Sequence, residues 1–318
     1  MAEGEVVAGV GAGSGALPAG AAQSKGVGVA RGGALHAFLQ QLRRDPYALV
    51  GVGIYLVFIL VGLGAGWLAP YDPMEILFTE DGNLAASLPP GAGHWLGTTN
   101  LGRDIFSQLV MGTQPSLVVG LSAAVAVATI GTLVGLLAGY FGGWVDQVLM
   151  RLTDIILGLP FLPFVIVVTA LLGPELRNIV AAVALLLWPN AARVIRAQVL
   201  TLSQRQFVEA ARVTGASEWR ILFVHIAPGV LPFSALYGAF AVGWAILVQA
   251  SVSFLGFGGG DVISWGTMLQ DAYASQALDR GQYAWFLPAG LCIVLVVLAG
   301  FLVSRGYEEL LFPRLRDE

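Results

Sequence analysis

An all-α integral membrane protein with six transmembrane helices is the fold class that the sequence predicts, on three observations. Hydrophobic residues make up 57% of the 318 and charged residues 11%, where soluble domains carry about 25% charge. Six apolar runs come close to the roughly 20 residues that take a helix across a ~30 Å hydrocarbon core. The basic residues concentrate in alternate segments between those runs, the asymmetry that orients a polytopic protein.

Residues 1–40 read as a flexible cytosolic N-terminal tail, rich in Gly and Ala with Glu3 and Glu5. They lack the apolar content that ordering needs, and without a basic start or a continuous apolar stretch they do not form a signal peptide. Residues 41–318 form the membrane domain, with spans expected at 47–69, 117–141, 155–173, 179–200, 229–256 and 284–303. The fourth run is interrupted by Trp188-Pro189 and continues through Arg193 and Arg196, so its inner end is amphipathic. Pro160, Pro163, Pro189, Pro232 and Pro288 fall inside spans, where neighbouring helices re-satisfy freed backbone groups. Gly131, Gly135 and Gly139 repeat every four residues, as do Gly62 and Gly66. Small residues at that spacing let helices approach closely in lipid.

With six spans and an inside N-terminus, Arg103, Arg177 and Arg280 lie outside, and the other thirteen of sixteen Lys and Arg lie inside or at the inner boundary. That bias puts both termini and residues 203–228 in the cytosol. Residues 71–114 and 257–283 are then long external segments, carrying Asp72, Glu75, Glu80, Asp81, Asp104, Asp261, Asp271 and Asp279. This acidic face either steers a partner or reflects the exclusion of Lys and Arg.

Residues 203–228 are longer and more polar than a connection between spans requires. A helix over Ser203–Thr214 puts Arg205, Glu209 and Arg212 on one face, with Glu209 in reach of both arginines. Phe207, Ala211 and Thr214 line another face, joined by Val208 and Ala210. Gly215 stops the helix where a positive φ is wanted. Ser217 is placed to cap a second helix, with Glu218 in its first turn. Trp219, Leu222, Phe223 and Ile226 then make an apolar stripe before Pro228. Two readings stay open: helices lying among lipid headgroups, or a protruding helix whose small Glu209-Ala210-Ala211 centre enters a groove on a soluble protein.

Glu209-Ala210-Ala211 with Gly215 and Pro228 resembles the cytoplasmic EAA loop of ABC importer permeases, and the ending His225-Ile226-Ala227-Pro228 resembles its peptide-importer branch. Leu96-Gly97-Thr98-Thr99-Asn100-Leu101-Gly102-Arg103-Asp104 resembles the segment before that family's second span, with Thr99 in place of the usual Asp. Gly142-Gly143-Trp144-Val145-Asp146, with Leu149-Met150-Arg151 and Asp154, resembles the approach to the third. Ser253-Phe254-Leu255-Gly256-Phe257-Gly258 and Ser264-Trp265-Gly266-Thr267-Met268-Leu269 resemble the stretch after the fifth, and Phe312-Pro313-Arg314-Leu315-Arg316 the C-terminal end. Over about residues 40–316 the chain is thus similar to the C-type subunits of dipeptide/oligopeptide/nickel importer permeases.

The resemblance implies a type I ABC importer permease fold, multi-pass in the cell membrane. It implies a sister permease subunit forming the other half of the pore, and two ATPase subunits that bind ATP and Mg2+. It also implies an extracytoplasmic substrate-binding protein that delivers cargo, with di- and oligopeptides as the expected class. The residues that would couple to the ATPases are Arg205, Phe207, Glu209, Ala210, Ala211, Arg212 and Gly215.

The chain itself is expected not to be an enzyme. Lys25 is its one lysine and no G-x4-G-K-[ST] occurs, so it lacks a Walker A phosphate loop. Neither a metal, a cofactor of its own nor a nucleic-acid partner is expected. His36, His94 and His225 stand far apart, and Cys292 is the single cysteine. An ion-coupled secondary transporter working without an ATPase is the alternative. Such a carrier normally shows charge near mid-membrane, and no expected span does; Asp154 is expected to pair with Arg151, three residues back, at the interface. Tyr237, Trp244, Gln249, Ser251 and Ser253 are the fifth-span residues available to a translocation path, set against ordinary packing roles.

Overall fold

The computed structural model describes residues 45–311 apart from 92, 260 and 261. The expected tail at 1–40 and the motif at 312–316 lie outside the described residues. Apolar runs become helices because a chain in hydrocarbon must satisfy its backbone internally. α1 (Pro46–Leu63) starts at Asp45, whose carboxylate accepts from the Tyr47 N–H at 2.8 Å, and Pro46 occupies a first-turn position that needs no N–H. α2 (Ala65–Leu68) is short; α3 (Ile105–Met111) and α4 (Thr113–Phe141) meet at Gly112. Then come α5 (Gly143–Leu157), α6 (Phe161–Leu172) and α7 (Leu176–Ser203). The hairpin holds α8 (Gln206–Val213) and α9 (Glu218–Arg220), and a π-helical stretch (Ile221–Ile226) leads into α10 (Ala227–Val252). A second π stretch (Ser253–Phe257), α11 (Trp265–Ala274) and α12 (Tyr283–Leu311) follow. Among the described residues five helical stretches are long and apolar enough to cross a membrane, or six if α5 and α6 form one span bent by 86°.

The centre of the bundle is the seam between α4 and α7. A Cβ on Gly131 would lie 2.7 Å from the Ala191 Cβ, one on Gly135 2.8 Å from both the Ala192 carbonyl and the Ile195 Cβ, and one on Gly139 2.8 Å from the Val199 Cβ. The four-residue glycine repeat is therefore a close helix contact, as expected. Gly62 likewise meets Leu117, but Gly66 faces open space because α1 has already ended at Leu63. α7 runs straight through the buried pair Trp188-Pro189.

The third span departs from expectation. Instead of one helix over 155–173, the chain breaks at Gly158-Leu159-Pro160. Proline disfavours helical backbone in the residue before it, and at Leu159, with Gly158 ahead of it, that preference is not overridden as it is at Trp188 within α7. α6 has 12 residues, a rise of about 18 Å, which is short of a hydrocarbon core. α5 turns its acidic side to α7: Asp154 pairs with Arg193 at 2.6 Å, and Asp146 accepts both Nε and Nη2 of Arg196 at 2.5 Å. The expected Asp154–Arg151 pair is therefore replaced by a contact to α7.

At the end of the bundle away from the hairpin, short polar side chains order the chain between α2 and α3. The Asp104 carboxylate caps α3 by accepting from the Ser107 N–H and hydroxyl at 2.8 Å, and it meets His94 Nδ1 at 2.9 Å. Thr99 Oγ1 accepts from the N–H groups of Leu101 and Arg103 at 3.3 and 3.1 Å. The Thr99 hydroxyl is thus the acceptor that orders this turn. α11 starts with Ser264 and Thr267 bonded reciprocally in a capping box. Its Trp265 donates from Nε1 to the Leu109 carbonyl at 3.1 Å and sets its ring edge-on to Phe58.

Candidate functional site

α8 is the longer helix of the hairpin and is largely exposed, and its geometry follows from two buried residues. Val208 and Ala211 are buried in one cluster with Ile221, Leu222 and Ile226. Phe207 is 46% and Val213 84% exposed, and Arg205, Glu209, Ala210, Arg212 and Gly215 are exposed as well. Of the residues expected to couple, Ala211 alone thus faces into the fold, where its small side chain lets α8 lie close. The helix is shorter than the 203–214 expected from spacing. α7 continues to Ser203, and Arg205 is the N-cap of α8 rather than part of its face. Glu209 forms no ion pair among the described residues, so the expected pairs with Arg205 and Arg212 are not made.

The turn after α8 is built as expected. Gly215 has φ +79°, with the Ala216 N–H bonded to the Ala211 carbonyl and the Gly215 N–H to the Arg212 carbonyl, both at 3.0 Å. This doubly bonded helix end needs a left-handed residue. Ser217 caps α9, its hydroxyl accepting from the Arg220 N–H at 3.4 Å. The expected stripe of Trp219, Leu222, Phe223 and Ile226 splits: Leu222 and Ile226 are buried, whereas Trp219 is 57% exposed and stacks on Phe223. The π-helical stretch has more residues per turn than the 3.6 assumed by the spacing argument, so the phase slips.

One set of contacts has no signal in the sequence. The Tyr140 hydroxyl, near the end of α4, donates to Glu218 Oε2, 78 residues away. The Arg212 guanidinium lies 5.9 Å from the centroid of the same ring. Beside them the Phe141 ring meets Trp219 at 5.5 Å. Both limbs of the hairpin are thus held to the end of α4.

The five fifth-span residues divide into two groups. Gln249 and Ser253 are buried within the subunit, with Gln249 Nε2 donating to Ser253 Oγ at 3.2 Å and Gln249 Oε1 without a hydrogen-bond partner among the described residues. Tyr237, Trp244 and Ser251 are spaced by seven and share one side of α10. Ser251 donates to the Leu247 carbonyl at 2.8 Å, and Trp244 stacks on Phe240. An open cleft of about 1170 Å³ lies between α5 and α7, lined by Asp146, Arg151, Asp154, Arg193 and Arg196.

A bundle of membrane-crossing helices that displays a firmly capped amphipathic hairpin at one end has the architecture of a membrane transport permease. Residues 131–317 match the family described as binding-protein-dependent transport system inner membrane component. Residues 34–90 match the N-terminal TM domain of oligopeptide transport permease C. The glutathione transport system permease protein GsiD of Pectobacterium atrosepticum is 37% identical over 281 residues, covering 88% of this chain and 91% of its own. The proteins of that name from Escherichia coli and Shigella boydii are 38% identical over 282 residues, with the same coverage. The chain therefore belongs to the family of binding-protein-dependent inner membrane components, as an ABC importer permease of the dipeptide/oligopeptide group.

Proposed function

We propose that this permease forms half of the translocation pore of an ATP-driven importer for di- and oligopeptides or close chemical relatives. It would work with a sister permease, two ATPase subunits that bind ATP and Mg2+, and an extracytoplasmic substrate-binding protein. The hairpin and both termini would face the cytosol, in keeping with the distribution of Arg and Lys. α8 is the docking helix in this reading. The observation that carries it is an exposed helix, fixed at its end by Gly215 and presenting Phe207, Ala210, Val213 and a Glu209 without an ion pair among the described residues. An exposed apolar patch flanked by such a carboxylate suits insertion into a groove of a soluble subunit. Energy must come from outside the chain, whose single lysine, Lys25, lies in no phosphate-binding loop. Glutathione, which the relatives' names give as their cargo, is itself a tripeptide, so peptide-like cargo is the favoured class.

The test is Glu209→Arg and, separately, Gly215→Pro in the assembled complex. Proline cannot take the φ of +79° at that turn. Both variants are expected to lose bound ATPase and ATP-dependent uptake while the permease stays in the membrane. Wild-type ATPase binding and uptake in both would refute docking through α8. Gradient-driven uptake by this chain alone, without ATP, would instead establish an ion-coupled carrier.

A further inference from the structure

Resting on the reading of α8 as a docking helix, we propose that Tyr140, Glu218 and Arg212 are positioning residues that make the hairpin and α4 move as one body. The hairpin is covalently tied to α7 and α10, and neither link is regular α-helix. On one side lies the short Gln204–Arg205 junction, and on the other a π-helical stretch. A push on α8 then reaches the bundle through the buried packing of Val208 and Ala211 and through side-chain contacts to α4. The Tyr140–Glu218 hydrogen bond holds the second limb, and the Arg212 guanidinium over the Tyr140 ring holds the first. Tyr140 also follows Gly139, where α4 approaches α7 so closely that a Cβ would lie 2.9 Å from the Arg196 carbonyl. Arg196 in turn grips Asp146 of α5. Displacement of α8 therefore reaches α4 through side chains, α7 through the close backbone approach at the glycine seam, and α5 through the Arg196–Asp146 pair.

The contact has a directional consequence. The Tyr140 hydroxyl bonds to Glu218, which lies outside α8 and outside the α10 residues available to a path. Removing its hydroxyl should leave ATPase binding intact and disconnect it from transport. The experiment uses the permease co-expressed with its sister and ATPase subunits in proteoliposomes, with the binding protein and labelled glutathione as probe. Tyr140→Phe is expected to keep the ATPase bound and to lower cargo moved per ATP by about tenfold, the scale of one charge-assisted hydrogen bond. Glu218→Ala should match it, the double variant should add little, and Glu218→Gln should recover most of the ratio. A cargo-independent arm places spin labels at R220C on the hairpin, outside the docking patch, and at L133C on α4, both exposed positions. Their distance distribution should stay narrow with ATP and vanadate in the parent and broaden in Tyr140→Phe. Unchanged transport per ATP with an unchanged distribution overturns the proposal. Should Tyr140→Phe fail to assemble, the exposed Glu218→Ala decides by the same two readouts. Failure of the docking reading is separately visible, because the ATPase would then not depend on Glu209.

Discussion

The α4–α7 seam and the α8 hairpin place small residues side by side for opposite ends. In the seam, Gly131, Gly135 and Gly139 remove every atom between two helices, and the contact is complete within the chain. In the hairpin, Ala211 does the same on one side, bringing α8 down onto a buried cluster, while Ala210, Phe207 and Val213 on the other side face open solvent. A four-residue repeat of small residues thus marks a finished interface in one place, and a small pair marks half of an unfinished one in the other. What separates them is the partner: α7 is supplied by the same chain, whereas on the proposed docking role the complement to α8 comes from an ATPase subunit.

The sharpest way to break that contrast is to add volume on each side. Gly135→Leu would drive a branched side chain into the Ala192 carbonyl and Ile195, contacts already at 2.8 Å for a single carbon. It should cost about 3 kcal/mol, seen as loss of folded protein on denaturant titration in detergent. Val213→Ser, at an 84% exposed position, should change stability by less than about 0.5 kcal/mol and weaken ATPase association instead. Next in size is Asp104→Asn at the far end of the bundle. That carboxylate is 1% exposed and accepts two bonds from Ser107; the amide replaces one acceptor with a donor, at a cost of about 1–3 kcal/mol. Arg196→Gln, breaking a half-covered pair with Asp146, should cost about 1 kcal/mol, with hydrogen exchange rising first in α5.

These regions also differ in how far the sequence revealed them. The seam was legible because glycine spacing is local and its effect does not depend on the identity of the neighbour. The Gly215 turn and the Ser217 cap were legible for the same reason. Proline was a poorer guide. Pro189, Pro232 and Pro288 lie within continuous helices, whereas Pro160 stands at a break, as the N-cap of α6. All four read alike as apolar-run prolines, and the break falls where Gly158 and Leu159 precede and α5 finds ionic partners on α7. Periodicity failed outright at Trp219 to Ile226, where the π-helical stretch changes the turn. The Tyr140–Glu218 contact, between segments 78 residues apart, is a product of the fold and had no local signature.

The smallest predicted effect concerns charge at the far end of the bundle, where the chain completes its contacts without the hairpin's help. Burial raises the Asp271 carboxyl above its ordinary 3.8, and the nearby Arg103 opposes this more weakly. The folded state therefore holds that proton more tightly than the unfolded chain. The associated stability is present below pH 3.8 and is lost as pH rises through the higher folded value. Asp271→Asn keeps the shape and removes the charge. It should flatten the stability profile in the window just above pH 3.8 and leave the melting temperature at pH 7 equal or slightly higher. Solvent reaches part of this side chain, which keeps the change small. A lower melting temperature at pH 7 would mean that attraction to Arg103 outweighs burial, and that this end of the bundle, like α5 at the other, is held by its ion pairs.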